Sequence, residues 1–220
     1  LANQGNGAGG FLFGGQGATA VPFLDTPAGV QPAGAGGQTL LSSSEQLPST
    51  VDGQSIWLAA RSGNGVFVSA AESSNTGTGW IDAGTVTNPG ELTGASYSIE
   101  FGEVNGVVSY SVLADGLPTS LDGVPYRAGA SITVDGMSLH IKGSPVAGDR
   151  FTVTPSTSDL DAFEALDRAI ATLKDPNANP GQVSQAVNSG MRDVDSVMGH
   201  LQAARAETGA VLTRLDSIDG

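Results

Sequence analysis

The chain has 220 residues, with 22 acidic and 9 basic side chains, so its formal net charge is −13 at pH 7. Such a surface repels the phosphates of nucleic acids and of anionic membranes, which excludes nucleic acid as a partner. The chain contains no cysteine and no run of about 20 apolar residues, so we expect no disulfide, no thiolate metal site and no membrane insertion.

The first 37 residues are rich in Gly, Ala, Gln and Pro, and this composition predicts loops or short hairpins. Two apolar segments, 11–13 and 21–23, are the expected anchors. Residues 5–10 match G-x-G-x-x-G, a dinucleotide-binding pattern that requires a strand before it and a helix after it. Because neither flanks this segment, we interpret it as a flexible turn and expect no cofactor.

Residues 38–155 show the period of two that is typical of β-strands, with no helical period between them. Asn105-Gly106 and Asp135-Gly136 predict hairpin turns, because both central residues of such a turn need positive φ. Another strand is expected around Phe151. The alternating residues expected to face the core are Tyr97, Ile99, Phe101, Val108, Tyr110, Val112, Ile132, Val134, Met137, Leu139 and Ile141. This pattern predicts an antiparallel β domain, in the form of a sandwich or a barrel-like body.

Residues 158–174 have apolar side chains at steps of three and four, which predicts an amphipathic helix. Ser158, followed by Asp161, is expected to cap its start, and Lys174 with Pro176 is expected to close it. The apolar positions are Leu160, Phe163, Leu166, Ile170 and Leu173.

A longer helix is predicted from about Gln182 to Ile218, roughly 55 Å at 1.5 Å per residue, because apolar residues recur there with a heptad period. We define the heptad seam as the positions expected to pack helices together: Val187, Val194, Val197, Leu201, Val211, Leu215 and Ile218. The first helix can cover only part of this seam. The rest packs either on the chain's own β domain or on terminal helices that this sequence lacks.

These elements predict an α+β protein in which a β-rich outer domain accompanies a coiled-coil-like helical domain. The helical domain is expected at 1–15 and 156–220, and the β-rich domain at 16–155.

A possible calcium loop precedes the long helix. Asp175, Asn177 and Asn179 resemble its first ligands, but the glycine comes one position late, at Gly181. Ala186 stands where the bidentate Glu belongs. We therefore expect a linker here, and no metal.

The chain has two histidines, His140 and His200. His140 is expected to point toward solvent, and neither histidine has the neighbours of a metal site. A Ser-His-Asp triad assembled in space stays open, although no nucleophile-elbow sequence supports one. Asp193 and Asp195 lie off the heptad seam, which fits a solvated helix face or an electrostatic rim that selects neighbours.

Four segments carry a family resemblance. The first consists of Leu1-Ala2-Asn3 and residues 11–15, and the second runs from 79–82 to 96–101. The third runs from 132–137 to 148–153, and the fourth consists of residues 205–210 and Arg214-Leu215. In this order they are similar to the FlgL family of bacterial flagellar hook-associated proteins, which is related to flagellin.

The resemblance implies a secreted, extracellular structural protein without catalytic activity. It would act as an adaptor at the hook-filament junction of the flagellum, in a ring of its own copies between the hook-side junction protein and flagellin, after delivery by an export chaperone. It also implies that this sequence is a central fragment without the family's terminal segments. Such a fragment is expected to be monomeric alone.

Two other functions stay open. A bacterial surface adhesin with a β head on a helical stalk would have the same composition. A secreted hydrolase would need a buried Ser-His-Asp cluster.

Overall fold

The computed structural model describes residues 1–7, 9–15, 20–27, 29–33, 39–40, 46–47 and 52–219, with only the backbone for 39–40, 46–47, 212 and 214–219. The chain forms two compact units, each built from segments that are distant in sequence. The first unit consists of Leu1–Ala60, Ser158–Ala165 and Val197–Gly220, and the second consists of Arg61–Thr157 and Leu166–Ser196.

Short elements form the N-terminal part of the first unit. They are β1 (Phe23–Thr26), β2 (Gly29–Pro32), β3 (Thr39–Leu40), β4 (Gln46–Leu47) and helix α1 (Gly53–Trp57). Asn3 holds the β1–β2 hairpin, since its Nδ2 donates to Phe23 O and its Oδ1 accepts from Phe23 N–H, both at 2.9 Å. Phe23 is buried, and its ring centroid lies 5.4 Å from that of Phe163.

Helix α1 corrects the prediction that residues 38–155 contain only strands. Asp52 caps this helix, because its Oδ1 accepts from the N–H of Gln54 at 3.0 Å. A 3₁₀ turn at Pro89–Glu91 also interrupts the strands. Helices of one turn leave no 3.6-residue period in the sequence, so the pattern could not reveal them.

The second unit contains two antiparallel sheets. Their strands are β5 (Phe67–Ala71), β6 (Trp80–Ile81), β7 (Thr85–Val86), β8 (Tyr97–Val104), β9 (Val107–Ala114), β10 (Leu117–Pro118), β11 (Val124–Pro125), β12 (Ser131–Val134), β13 (Met137–Lys142) and β14 (Arg150–Pro155). One sheet has the order β10-β9-β8-β14-β5, with β11 also paired to β9. The other has the order β12-β13-β6, with β7 also paired to β13.

Both predicted hairpins are present. The β8–β9 pair runs in register from Tyr97↔Ala114 to Val104↔Val107, and β12 pairs with β13 across Asp135-Gly136. All the residues predicted to face the core are buried except Val108, which is half-buried. The two sheets share one apolar cluster, so the predicted sandwich is the correct architecture.

Two helices complete the chain, α2 (Ala162–Lys174) and α3 (Pro180–Asp219). Helix α3 is continuous over 40 residues, which confirms the predicted long helix. Asn179 and Gln182 form a capping box at its start, since each side-chain oxygen accepts from the other's backbone N–H at 2.9 Å.

The predicted cap of the first helix is wrong. Asp161 caps α2, because its Oδ1 accepts from Phe163 N–H at 2.8 Å and from Glu164 N–H at 3.1 Å. Upstream, Leu160 N–H donates to Ala60 O at 3.0 Å in a β-bridge. This bridge holds the chain extended and moves the helix start four residues beyond Ser158.

The bounds of the compact units differ from the predicted domain bounds, 1–15 with 156–220 and 16–155. Residues 166–196, which include most of α2 and the first part of α3, belong to the same unit as the β-sheets. Helices α2 and α3 each contribute residues to both units.

Candidate functional site

The heptad seam residues differ in exposure. Val197 is buried in an apolar cluster with Ala60, Leu160 and Ala165 of the first unit. Leu201 and Val211 are half-buried, whereas Val187 and Val194 are exposed. The side chains of Leu215 and Ile218 lie outside the described residues.

Helix α3 has an inner and an outer apolar side within the second unit. On the inner side, Ala186 and Asp193 are buried, with Gly190 between them. One position further along the chain, and therefore about 100° around the helix, lie Val187, Met191 and Val194. These three side chains are exposed, although their spacing of four and three is that of a packing surface.

Helix α2 adds a matching set of exposed apolar side chains at positions 166, 170 and 173. A Cβ placed on Gly190 would lie 3.2 Å from the Cβ of Ala169, so the two helices approach each other closely there. The short linker between Lys174 and Pro180 makes them run antiparallel. Gly190 and Ala169 are the residues in contact, and each is followed by an exposed apolar residue, Met191 and Ile170. In an antiparallel pair of helices, residues one position after the contact lie on the same side of the pair.

The two exposed sets therefore form one surface of the helical hairpin. We call it the open face: Leu166, Ile170, Leu173, Val187, Met191 and Val194. Each of these side chains leaves between 39% and 65% of its area exposed, and none is charged. Covering them would stabilise an assembly by about 1 kcal/mol per residue, half of the full burial of a large apolar side chain.

Four polar contacts hold the first part of α3 to strands β5 and β6 and to the loops that precede them in the second unit. Asn179 Nδ2 donates to Gly77 O at 3.2 Å, and Gln185 Oε1 accepts from Ile81 N–H at 2.9 Å. Arg192 Nη1 donates to Ser69 O at 3.3 Å, and Ser196 Oγ donates to the carbonyl of Arg61. These contacts fix the rotation of α3 about its axis, and so the direction in which the open face points.

Asp193 corrects a prediction, because it is buried rather than on a solvated face. Its Oδ1 accepts from Arg192 Nε at 3.1 Å and lies 3.1 Å from Arg192 Nη2, and the two side chains are only 11% and 14% exposed. A buried carboxylate needs such a partner to offset the loss of hydration. Asp195 is exposed, which fits both the solvated face and the electrostatic rim.

The sequence analysis missed Met191 as a member of this surface, because it considered only the two positions of each heptad that form the seam. The signal was available, since Met191 lies four residues after Val187 and three before Val194. Leu166, Ile170 and Leu173 were identified as apolar helix positions, but nothing in the sequence showed that they remain uncovered.

The histidines form no catalytic triad in the described part of the chain. His140 is partly exposed, and its Nδ1 lies 2.9 Å from Asp82 Oδ2. The sequence did not indicate this contact, because the two residues are 58 positions apart. His200 Nε2 lies 2.9 Å from Ser55 O. The imidazoles thus contact a carboxylate and a backbone carbonyl, and no hydroxyl nucleophile is among these partners.

The motifs considered for cofactor and calcium binding have local structural roles. Asn6 N–H donates to Gly10 O at 2.9 Å, so the glycine-rich segment closes a turn. Asn179 uses its side-chain oxygen as a helix cap, and Asp175 Oδ1 accepts from Asn177 N–H at 2.8 Å. Within the described ranges, no cluster of three or more His, Cys, Asp or Glu side chains could hold a metal ion, and no helix has the length and apolarity to cross a membrane.

Several solved structures of flagellar proteins are similar to this chain. FlgL from Xanthomonas campestris is 28% identical with a TM-score of 0.83, and the match covers 99% of this chain and 72% of that one. The flagellar junction protein FlgL from Legionella pneumophila is 24% identical with a TM-score of 0.80, covering 95% and 69%. A flagellar hook-associated protein-3 from the same organism is 24% identical with a TM-score of 0.82, covering 99% and 70%. No protein-family model and no curated protein matches the chain.

Proposed function

We propose that this chain, which has the fold of the flagellar hook-associated protein FlgL, is a structural component of the bacterial flagellum at the junction between hook and filament. The similarity to FlgL structures covers nearly the whole chain, so the family resemblance found in the sequence is confirmed. The observation that carries the proposal is the open face, an uncharged apolar surface on a helical hairpin whose long helix is unbroken. Such a surface suits permanent packing against other helices.

The proposed mechanism is mechanical. A load applied along α3 reaches the rest of the second unit through Asn179 at the N-cap and through Gln185, Arg192 and Ser196 further along the helix. Because several contacts share the load, the helix and the sandwich of this unit respond as one piece. An adaptor between two assemblies needs this property, since a loose joint would absorb torque instead of transmitting it.

The partners we propose are other axial proteins: the hook-side junction protein, flagellin and copies of this chain in a ring. An apolar face favours helical partners. Because the open face carries no charge, its shape complementarity to a partner helix, rather than ion pairs, would determine which partner binds. We also propose export to the cell exterior with the help of a chaperone, which the lack of cysteine favours because no thiol can crosslink on the way. By itself, this chain should be monomeric, and sedimentation showing a stable ring would contradict that.

We propose no catalytic activity. The buried carboxylate of Asp193 pairs with Arg192, and the half-buried side chain of Asn179 caps α3, so both have structural roles. The alternative of a surface adhesin stays a prediction, and a glycan-binding assay would distinguish it from an adaptor, which should bind no glycan.

The proposal is tested by placing a carboxylate on the open face. In a strain that lacks the gene, Ile170→Asp or Met191→Asp in the full-length protein should abolish swimming and release filament monomers into the medium. Both residues are exposed, so the free energy of unfolding should change by no more than about 0.5 kcal/mol.

The matched control is Asn188→Asp, which adds the same charge at an exposed position beside the open face rather than on it. This variant should swim like the parent. Normal motility of both open-face variants, with normal secretion, would overturn the role of this surface.

A further inference from the structure

The chain contains three Asn-Gly pairs, Asn6-Gly7, Asn64-Gly65 and Asn105-Gly106. An asparagine followed by glycine can lose its side-chain amide, because the next backbone nitrogen can reach the side-chain carbonyl when no Cβ obstructs it. Folded structure decides which pair reacts, since a side chain held by hydrogen bonds must first lose them.

Asn64 is held on every side. Its Nδ2 donates to Ala83 O at 3.2 Å and to Gly84 O at 3.3 Å. Its Oδ1 accepts from Val66 N–H at 3.0 Å and from Phe67 N–H at 2.9 Å. Asn6 is also held, since its Oδ1 accepts from Gly10 N–H at 3.0 Å.

Asn105 differs from both. It lies at the exposed tip of the β8–β9 hairpin, and among the described residues no hydrogen bond involves its side chain. The equivalent residues of the two other turns of this type are held: Asp115 Oδ1 accepts from Ser96 N–H at 2.9 Å, and Asp135 Oδ2 accepts from Tyr97 Oη–H at 2.6 Å. Among the first residues of these three turns, Asn105, Asp115 and Asp135, Asn105 is the one whose side chain forms no hydrogen bond within the described structure.

We propose that Asn105 is the deamidation site of the folded protein. The Gly106 nitrogen, after losing its proton to water, attacks Asn105 Cγ and forms a C–N bond, and the side-chain nitrogen leaves as ammonia after taking a proton from water. Water then opens the cyclic imide at either carbonyl. One opening gives aspartate and the other gives isoaspartate, in which the main chain continues through the side-chain carbon.

The product changes the hairpin tip in two ways. Isoaspartate adds one carbon to the main chain, so the turn with φ of 52° at Asn105 and 77° at Gly106 no longer fits its two-residue length. A new carboxylate also appears two residues from Glu103 on an acidic protein. Both effects loosen the end of β8 and β9.

The experiment is peptide mapping of the whole chain after incubation at mildly alkaline pH, with separation of aspartate from isoaspartate. Asn105 should convert at least about tenfold faster than Asn64, because the Asn64 side chain must first break its four hydrogen bonds. In concentrated urea the three pairs should convert at similar rates. Equal rates at Asn105 and Asn64 in the folded protein, or faster conversion at Asn6, would overturn the proposal.

Two variants support the measurement. Asn105→Gln should remove the signal, because a longer side chain forms the imide much more slowly. Asn105→Asp keeps a residue that tolerates positive φ and shows whether the added charge alone shifts the elution of the intact protein.

Discussion

Both carboxylate oxygens of Asp149 accept from the backbone N–H of Gly77, at 3.3 and 3.2 Å, across 72 residues of sequence. The same carboxylate accepts from Thr76 N–H at 2.9 Å and from Val146 N–H at 3.0 Å. Asp149 is 2% exposed. It therefore replaces water for three N–H groups and joins the loop before β6 to the turn before β14.

Replacing Asp149 should cost much of the stability of the second unit. In Asp149→Ala the buried N–H of Gly77 and the part-buried N–H groups of Thr76 and Val146 lose their acceptor, and we expect a loss of about 3–5 kcal/mol in the free energy of unfolding. Urea denaturation measures this loss. The control is Asp195→Ala, an exposed residue whose removal should change stability by less than about 0.5 kcal/mol.

Two glycines at the same turn position should respond differently to alanine. Gly116 and Gly136 have φ of 79° and 75°, so alanine is strained by about 1 kcal/mol at either site. A Cβ on Gly116 would meet no atom within 4 Å, whereas on Gly136 it would lie 2.1 Å from Asn88 O. Gly136→Ala should therefore lose about 1–3 kcal/mol more than Gly116→Ala in thermal or urea unfolding. Equal losses would show that the turn at Gly136 moves away freely.

The pair of Arg192 and Asp193 should show strong coupling. Arg192→Met leaves the buried Asp193 carboxylate without a cation, which should cost about 3–5 kcal/mol. The double variant Arg192→Met with Asp193→Leu removes both charges and should recover most of that loss. A double-mutant cycle in urea measures the coupling, and additive effects of the two substitutions would contradict it.

Stability should decline at high pH. Burial raises the pKa of Tyr97 above 10.0, and the hydrogen bond that its hydroxyl donates to Asp135 raises it further. Because the folded state holds the proton more tightly, this contribution to stability is complete below pH 10 and is lost as the pH rises toward the folded pKa.

Burial also raises the pKa values of Tyr110 and Tyr126, so Tyr97→Phe should weaken the pH dependence without abolishing it. Urea unfolding at a series of alkaline pH values measures both effects. If the variant and the parent have the same slope above pH 10, Tyr97 does not contribute.

The hairpins and the long helix could be predicted because their signals are local. Asn105-Gly106 and Asp135-Gly136 supply the positive φ that their turns require, and the flanking residues alternate. The heptad period of α3 likewise needs only the spacing of Val187 and Val194 along one helix. The Asp115-Gly116 turn between β9 and β10 carries the same local signal, but the sequence analysis did not assign it.

Other assignments failed because a distant partner decided them. Ser158 has the chemistry of a cap, but the bridge between Leu160 and Ala60 keeps the chain extended there. Asp193 has the sequence signal of a surface residue, but it is buried beside Arg192, whose Nη1 also donates to the distant carbonyl of Ser69. The distant residues in these two contacts, Ala60 and Ser69, cannot be identified from the local pattern around Ser158 or Asp193.

The sequence by itself determined which segments form strands and helices, because φ preferences and apolar periods act over a few residues. Only the tertiary structure decided which side of α3 remains open. That choice depends on the contacts of Gln185 with Ile81 and of Arg192 with Ser69, which join residues 104 and 123 positions apart. The apolar period of α3 gives no sign of which of its residues other parts of the chain cover, and packing in the second unit buries Ala186 while it leaves Val187 exposed.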